Sequence, residues 1–168
     1  MKSIKQITIT LLISIVLLGG IFLLARSGNT DNPAPVPSGG IQASLKVAEP
    51  YYDFGSISMA SGEVSRKFSL KNDSVEPITI RKVYTSCMCT SARLFTRDGS
   101  IGPFGMPGHG FVPAINRTVA PGEEATVEVV FDPAAHGPAG VGRVERSVYV
   151  ESGNAQPLEL SFSATVTP

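Results

Sequence analysis

The sequence lacks the clusters of lysine and arginine that a nucleic-acid-binding surface requires. It has 14 basic and 14 acidic side chains, so its formal net charge is zero. Lys2, Lys5 and Arg26 are the only charged residues among the first 26. Residues 27–168 therefore carry 11 basic and 14 acidic side chains, so this part of the chain has a slight net negative charge. We therefore expect no nucleic-acid partner.

The sequence is also poor in the groups that most enzymes use. Tryptophan is absent and histidine occurs only twice, with no spacing that suggests a Ser-His-Asp triad. His136 lies in a Pro- and Gly-containing segment and is expected to be a solvated turn residue. Glu123 and Glu124 are expected at a strand start on the surface. These absences predict that the protein is not an enzyme.

One long apolar run stands at the N-terminus. Residues 7–25 contain no charge, and a membrane-spanning helix needs about 20 mostly apolar residues. Lys2 and Lys5 precede the run, which places the N-terminus in the cytoplasm by the positive-inside rule. A cleaved signal peptide is the alternative, although its apolar core is usually shorter and ends at a small-x-small site. Either way, the rest of the chain is expected in a periplasmic or extracellular location.

The composition then changes twice along the chain. Residues 1–26 form the predicted membrane anchor or signal peptide. Residues 27–40 are rich in Pro, Gly, Ser and Asn without apolar periodicity, which is typical of a flexible linker. Residues 41–168 form the predicted folded domain.

The folded part has an apolar period of two residues, as in β-strands with one buried face. Seventeen glycines and 13 prolines indicate many turns, and Ala120-Pro121-Gly122-Glu123 suits a type II turn. These features predict an all-β, immunoglobulin-like antiparallel β-sandwich of six or seven strands, preceded by one transmembrane helix. The alternating runs lie at residues 64–70, 78–80, 125–131, 144–150 and 158–166.

The order of several motifs resembles a bacterial domain family of unknown function that is related to the Hydin/ASH immunoglobulin-like domains. The resemblance implies an exported β-sandwich but no established activity. Two departures are Met88, where the family usually has glycine, and an insert before residue 120. The matching motifs are Asp53–Ile57, Phe68–Asn72, Ile78–Val83, Ser86–Thr90, Ala120–Glu123 and Val129–Pro133.

Cys87 and Cys89 flank Met88 and are the only cysteines. In a strand their side chains would share one face, with Cα atoms about 6.5–7 Å apart. That spacing is at or beyond the limit for a disulfide, and without glycine the backbone is expected to be rather extended. Three interpretations stay open: buried or disulfide-bonded structural cysteines, a soft-metal site, or redox-active thiols.

The insert at residues 98–113 has five glycines and three prolines and is expected to form an extended, polyproline-like loop. It carries Met106 and His109, whose thioether and imidazole groups are copper ligands. If it folds over the cysteines, Cys87, Cys89, Met106 and His109 form a copper site, to which Met88 is a further candidate. Otherwise the loop is mobile, or its two phenylalanines cover one end of the sandwich.

The architecture favours a membrane-anchored, extracytoplasmic binding or structural module that presents loops or a sheet edge to an envelope protein. Copper binding is the first alternative. Thiol–disulfide chemistry ranks after it, because redox cysteines usually lie at a helix N-terminus that stabilises the thiolate.

Overall fold

Ten β-strands and two short 3-10 helices make up the regular structure of residues 45–153 and 156–168, the part of the chain that this computed structural model describes. The helices are Met59–Ser61 and Gly137–Gly140. The strands are β1 (Lys46–Val47), β2 (Tyr51–Ser58), β3 (Val64–Lys71), β4 (Ile78–Thr85), β5 (Thr90–Thr96), β6 (Gly99–Phe104), β7 (Arg117–Val119), β8 (Glu124–Phe131), β9 (Gly142–Ser152) and β10 (Leu158–Thr167).

The strands form two five-stranded sheets. The first has the order β1-β3-β8-β5-β6, and the second has the order β2-β10-β9-β4-β7. All neighbouring pairs are antiparallel except β2 and β10, which run parallel at the edge of the second sheet. The immunoglobulin-like β-sandwich expected from the sequence is confirmed. The expected count of six or seven strands is wrong, since the described residues form ten, and one strand pair is parallel.

The core lies between the sheets and follows the predicted alternation. On β8, every second side chain from Ala125 to Phe131 is at most 2% exposed. Phe131 of the first sheet and Phe162 of the second have ring centroids 5.2 Å apart, so the two sheets meet there. Burial of each such large apolar side chain contributes about 1.5–3 kcal/mol.

Turn chemistry fixes how the strands connect. Glu123 N–H donates to the Ala120 carbonyl at 3.0 Å, and Gly122 has φ +75°, as the predicted type II turn requires. Asn72 is fully buried between this turn and the β3–β4 connection. Its amide nitrogen donates to the carbonyls of Glu76 and Val119, both at 2.9 Å. Two surface loops are thereby joined by one buried side chain.

The prediction for the insert is wrong in its first half. Residues 99–104 form β6, which pairs with β5 in a hairpin whose closing pair is Thr96 and Gly99. Phe104 is completely buried, and Ile101 packs against the core. Two apolar anchors therefore hold this glycine-rich segment in the first sheet, and only the part that follows Phe104 is a loop.

Within the described residues, no helix is long and apolar enough to cross a membrane. The predicted spanning segment at residues 7–25 and the predicted linker lie outside the residues that the structure describes.

Candidate functional site: a cystine turn at one end of the sandwich

Cys87 and Cys89 are joined by a disulfide bond. They lie in a tight turn between β4 of the second sheet and β5 of the first, where Thr90 N–H donates to the Cys87 carbonyl at 3.2 Å. Their Cα atoms are 5.3 Å apart, within the usual range for a bridged pair. The expected extended backbone is wrong, because the chain must reverse here to pass from one sheet to the other. We call residues 87–90 the cystine turn.

Hydrogen bonds from three directions hold the cystine turn in place. The buried Thr85 hydroxyl donates to the carbonyls of Cys87 and Thr90, at 2.9 and 3.1 Å. Ser86 and Ser147 exchange two hydrogen bonds of 2.9 Å, which tie the end of β4 to β9. Asp132 N–H donates to the Cys89 carbonyl at 2.9 Å. The β4–β5 and β8–β9 connections, each of which crosses from one sheet to the other, are therefore fixed to each other.

The β8–β9 connection brings a histidine to the disulfide. His136 directly precedes the second 3-10 helix, and its Nε2 lies 3.3 Å from Cys87 Sγ. The residue is exposed, as predicted, but it is not simply a solvated turn residue because its ring contacts the sulfur.

Strand β9 brings an arginine to the other sulfur. Arg146 Nε donates to Cys89 Sγ at 3.4 Å, and its Nη1 donates to the Glu145 carbonyl at 2.7 Å. The Arg146 side chain is half-buried and follows the same inward face of β9 as Val144, Val148 and Val150. A guanidinium stays charged at all accessible pH values, so Cys89 always has a positive neighbour.

The two cysteine residues differ in exposure. Cys87 is partly exposed, whereas Cys89 is only 3% exposed and also lies 3.7 Å from the Thr90 hydroxyl. Met88, at the tip, is 59% exposed. Two shallow clefts, of about 270 and 160 Å³, both have Met88 in their lining. A partner molecule approaching the tip past Met88 would therefore reach Cys87 before Cys89.

Met106 and His109 line the larger cleft, which also has Met88 and Thr90 of the cystine turn in its lining. Among the described His, Cys, Asp and Glu side chains, the group whose potential ligand atoms lie within 4.8 Å of one another is Cys87, Cys89 and His136. The metal role that the sequence assigned to Met106 and His109 stays a prediction.

The sequence contained a signal for one of the two missed residues. Arg146 interrupts the buried face of a strand that is otherwise lined by valines, and charged side chains are rarely placed there without a partner. His136 gave no comparable signal, because its contact with Cys87 spans 49 residues and depends on how the β4–β5 and β8–β9 connections meet.

This arrangement can support sulfur chemistry. A positive guanidinium and an imidazole next to cysteine sulfurs favour the thiolate form, which is the reactive form in disulfide exchange and in metal binding. The side chains of Arg146 and His136 would therefore stabilise a thiolate here, as a helix N-terminus does in many redox sites.

Residues 45–102 match the profile of a family described as "Protein of unknown function (DUF1573)". The match covers β1 to β5, the cystine turn and the first part of β6. It agrees with the expected resemblance to a domain family of unknown function, while the motif pattern itself stays a prediction. His136 and Arg146 lie outside the matched residues. No functionally curated protein matches the sequence.

Several solved structures are similar to this chain at low sequence identity. A protein of unknown function from Porphyromonas gingivalis W83 has a TM-score of 0.52 and 13% identity over 73% of this chain and 46% of its own. The secreted serine protease VesC from Vibrio cholerae (TM-score 0.48) is 11% identical over 76% of this chain and 24% of its own. The ASH/PapD-like domain 7 of human CEP192 (TM-score 0.42) is 13% identical over 74% and 86%, respectively. This chain spans less than half of the first two proteins, and the likeness to the first concerns the fold alone.

Proposed function

We propose that this protein is a membrane-anchored, extracytoplasmic immunoglobulin-like module that exchanges electrons with envelope proteins through the Cys87–Cys89 disulfide. The observation that carries the proposal is that each sulfur has its own partner: His136 Nε2 at 3.3 Å from Cys87 and Arg146 Nε at 3.4 Å from Cys89. A purely structural bridge needs neither group. Thiol–disulfide chemistry therefore moves ahead of the alternatives that the sequence favoured.

The difference in exposure supports a division of labour between the sulfurs. A thiolate of the partner attacks Cys87 Sγ, in the more exposed of the two cysteines, and forms a mixed disulfide, while the Cys87–Cys89 bond breaks. Its electron pair goes to Cys89 Sγ, where Arg146 and the Thr90 hydroxyl stabilise the thiolate. A second partner thiolate then attacks the partner sulfur and releases Cys87, beside which His136 can give up a proton. The partner leaves as a disulfide, and the two protons that its thiols gave up convert Cys87 and Cys89 into a dithiol.

The anchor and the envelope location are part of the proposal. The uncharged run at residues 7–25, with two lysines before it, supports an N-terminus in the cytoplasm and a single membrane helix. The polar segment at residues 27–40 would hold the sandwich away from the bilayer. A periplasmic or extracellular location is also where disulfides persist.

The test of the anchor is fractionation of cells that produce the full chain, followed by a carbonate wash. We expect the intact protein in the washed membrane, with its C-terminal domain digested by a protease that cannot reach the cytoplasm. A shortened protein in the soluble envelope fraction would instead indicate a cleaved signal peptide.

The test of the chemistry is trapping of mixed disulfides in cells. Cys89→Ser leaves Cys87 able to form a mixed disulfide that no second cysteine resolves, so we expect adducts that disappear with reductant. Cys87→Ser is the matched control and should give none, because Cys89 is buried. Equal trapping by both variants would contradict the division of labour, and no adduct with either would contradict the exchange function.

Soft-metal binding is the second candidate. Two cysteine sulfurs with a third potential ligand atom within 4.8 Å favour it. Copper is the metal that suits thiolate, thioether and imidazole together, so Met106, His109 and Met88 in the adjoining cleft stay candidates for its transfer. A chelator-competition titration of the reduced protein tests this role.

A further inference from the structure

The cystine turn and His136 offer three soft or borderline ligand atoms at one point. Both sulfurs and the His136 ring nitrogen lie within 4.8 Å of one another. In the disulfide the sulfurs are bonded to each other and are poor ligands. Reduction would turn them into two thiolates that can bind one metal ion together with the imidazole.

We infer that the reduced protein binds one Cu(I) ion through Cys87, Cys89 and His136, and that oxidation of the pair expels it. The inference rests on the proposed thiol–disulfide function, since that function supplies the change between the two states. It differs from the site expected from the sequence, because His136 takes the place of Met106 and His109.

Charge favours Cu(I) over Zn²⁺ at this site. Two thiolates with Cu(I) carry a net charge of −1, and the Arg146 guanidinium at 3.4 Å from Cys89 Sγ neutralises it. Two thiolates with Zn²⁺ are already neutral, so the same guanidinium adds an uncompensated charge. Zn²⁺ also prefers four ligands, whereas Cu(I) accepts three. Among the described residues no carboxylate joins this group within 4.8 Å.

The partner's dithiol or disulfide is the only reductant or oxidant that uptake and release of Cu(I) require. A partner dithiol reduces the bridge: its two thiols become a disulfide, and Cys87 and Cys89 receive the electron pair and two protons. Cu(I) then displaces those protons. In the reverse direction, a partner disulfide takes the electron pair from the two cysteine thiolates, their bond re-forms, and copper leaves as Cu(I) with its oxidation state unchanged.

The experiment is an anaerobic Cu(I) titration of the full chain in mild detergent against the chelator bicinchoninate, with X-ray absorption to identify ligands. We expect one Cu(I) per reduced chain, held by two sulfurs and one nitrogen, and no binding by the oxidised chain. His136→Ala should weaken binding by about tenfold or more and remove the nitrogen. His109→Ala is the control for the site expected from the sequence. It should change neither the Cu(I) affinity nor the nitrogen ligand. Each variant is first checked for the wild-type unfolding temperature.

Equal affinity of the wild type and His136→Ala would overturn the inference, as would a preference for Zn²⁺ or equal binding by the oxidised chain. Exchange with glutathione is measured on the same samples without copper. Normal exchange without Cu(I) binding overturns this inference alone. Cu(I) binding by a pair that glutathione cannot reduce or oxidise overturns the proposed exchange function alone, and the metal site then stands.

Discussion

Arg146 is the residue that most changes the interpretation of the cysteine pair. It occupies an inward position on β9 where the neighbouring inward residues are valines, and its Nε donates to Cys89 Sγ. Burial of part of a guanidinium costs free energy unless a partner compensates for it. A neutral disulfide offsets the cost of burying the guanidinium only weakly, whereas a negatively charged Cys89 thiolate offsets it well. The arginine should therefore stabilise the reduced state more than the oxidised one.

Replacing Arg146 should consequently lower the reduction potential of the pair. A charge-assisted hydrogen bond contributes about 1.5 kcal/mol, which corresponds to roughly 30 mV for a two-electron couple. We expect Arg146→Met to shift the potential by about that amount towards more negative values and Arg146→Lys to restore part of it. Arg143→Met, on an exposed position of the same strand, is the control. Redox titration with dithiothreitol mixtures measures all three, and an unchanged potential in Arg146→Met would remove Arg146 from the site.

Asn72 stabilises the fold through buried hydrogen bonds away from the cystine turn. It is fully buried, donates to two carbonyls, and its Oδ1 accepts from Ser74 N–H at 3.0 Å. We expect Asn72→Ala to lower the free energy of unfolding by about 3 kcal/mol, because several buried partners lose their hydrogen bonds together. Asp73→Ala removes only an exposed ion pair and should change it by less than about 1 kcal/mol. Urea denaturation compares them, and similar losses would contradict this role for Asn72.

At the scale of elements, the sequence predicted best the strands that alternate without interruption. Strand β8 and strand β10 were predicted from their pattern, since nearly every second residue is large and apolar. Strand β5 presents Thr90, Ala92 and Leu94 to the interior, and small or polar inward residues hide the alternation. Strand β6 is hidden by its glycines and proline.

Strand β2 was missed because its alternation of inward and outward side chains shifts by one residue midway along the strand. Tyr52 and Phe54 point inward, and then Ile57 does, since the pairing with β10 shifts register between Ser163 and Thr165. Gly55 makes this irregularity possible with φ +69°. The Asp-Phe-Gly motif is therefore a structural device of the sheet edge, which the sequence pattern alone did not reveal.

Gly55→Ala tests that device. A Cβ at this position would meet no atom within 4 Å, so the cost is the left-handed backbone alone, about 1 kcal/mol in the free energy of unfolding. Gly55→Asn should lose less, because asparagine tolerates this conformation better. Denaturant unfolding of the three proteins provides the measurement, and a neutral alanine variant would show that the backbone is not held left-handed in solution.

Asp53, in the same Asp-Phe-Gly motif, should make the free energy of unfolding depend on pH in the acidic range. Hydrogen bonds, first from the Gly55 N–H and then from the Ser163 hydroxyl, hold the pKa of the Asp53 carboxyl below its usual value of 3.8. Because the folded-state pKa is lowered, its contribution is present above the unfolded-state value and is lost as pH falls through the folded-state value. Asp53→Asn should therefore differ most from the wild type near neutral pH, and the difference should shrink below pH 3.8. Thermal unfolding between pH 6 and pH 2 measures it, and a constant difference would refute the assignment.

For the whole molecule, the sandwich places the site by bringing two distant connections to one end. The cysteine pair could be found in the sequence because only Met88 separates the two residues. Its chemical surroundings could not, since His136 and Arg146 are 49 and 57 residues away from the sulfurs that they contact. Their positions follow from the order of strands in two sheets, which periodicity does not determine.

The most direct test of the proposed exchange function is the reduction potential of Cys87–Cys89 in the full chain. Samples are equilibrated in glutathione and dithiothreitol mixtures, the free thiols are alkylated, and the fractions are read by mass spectrometry. A pair whose thiolates are stabilised by His136 and Arg146 should have a potential above about −300 mV, within reach of envelope thiols. A potential well below that value would make the bridge an inert structural clamp and would contradict the proposed function.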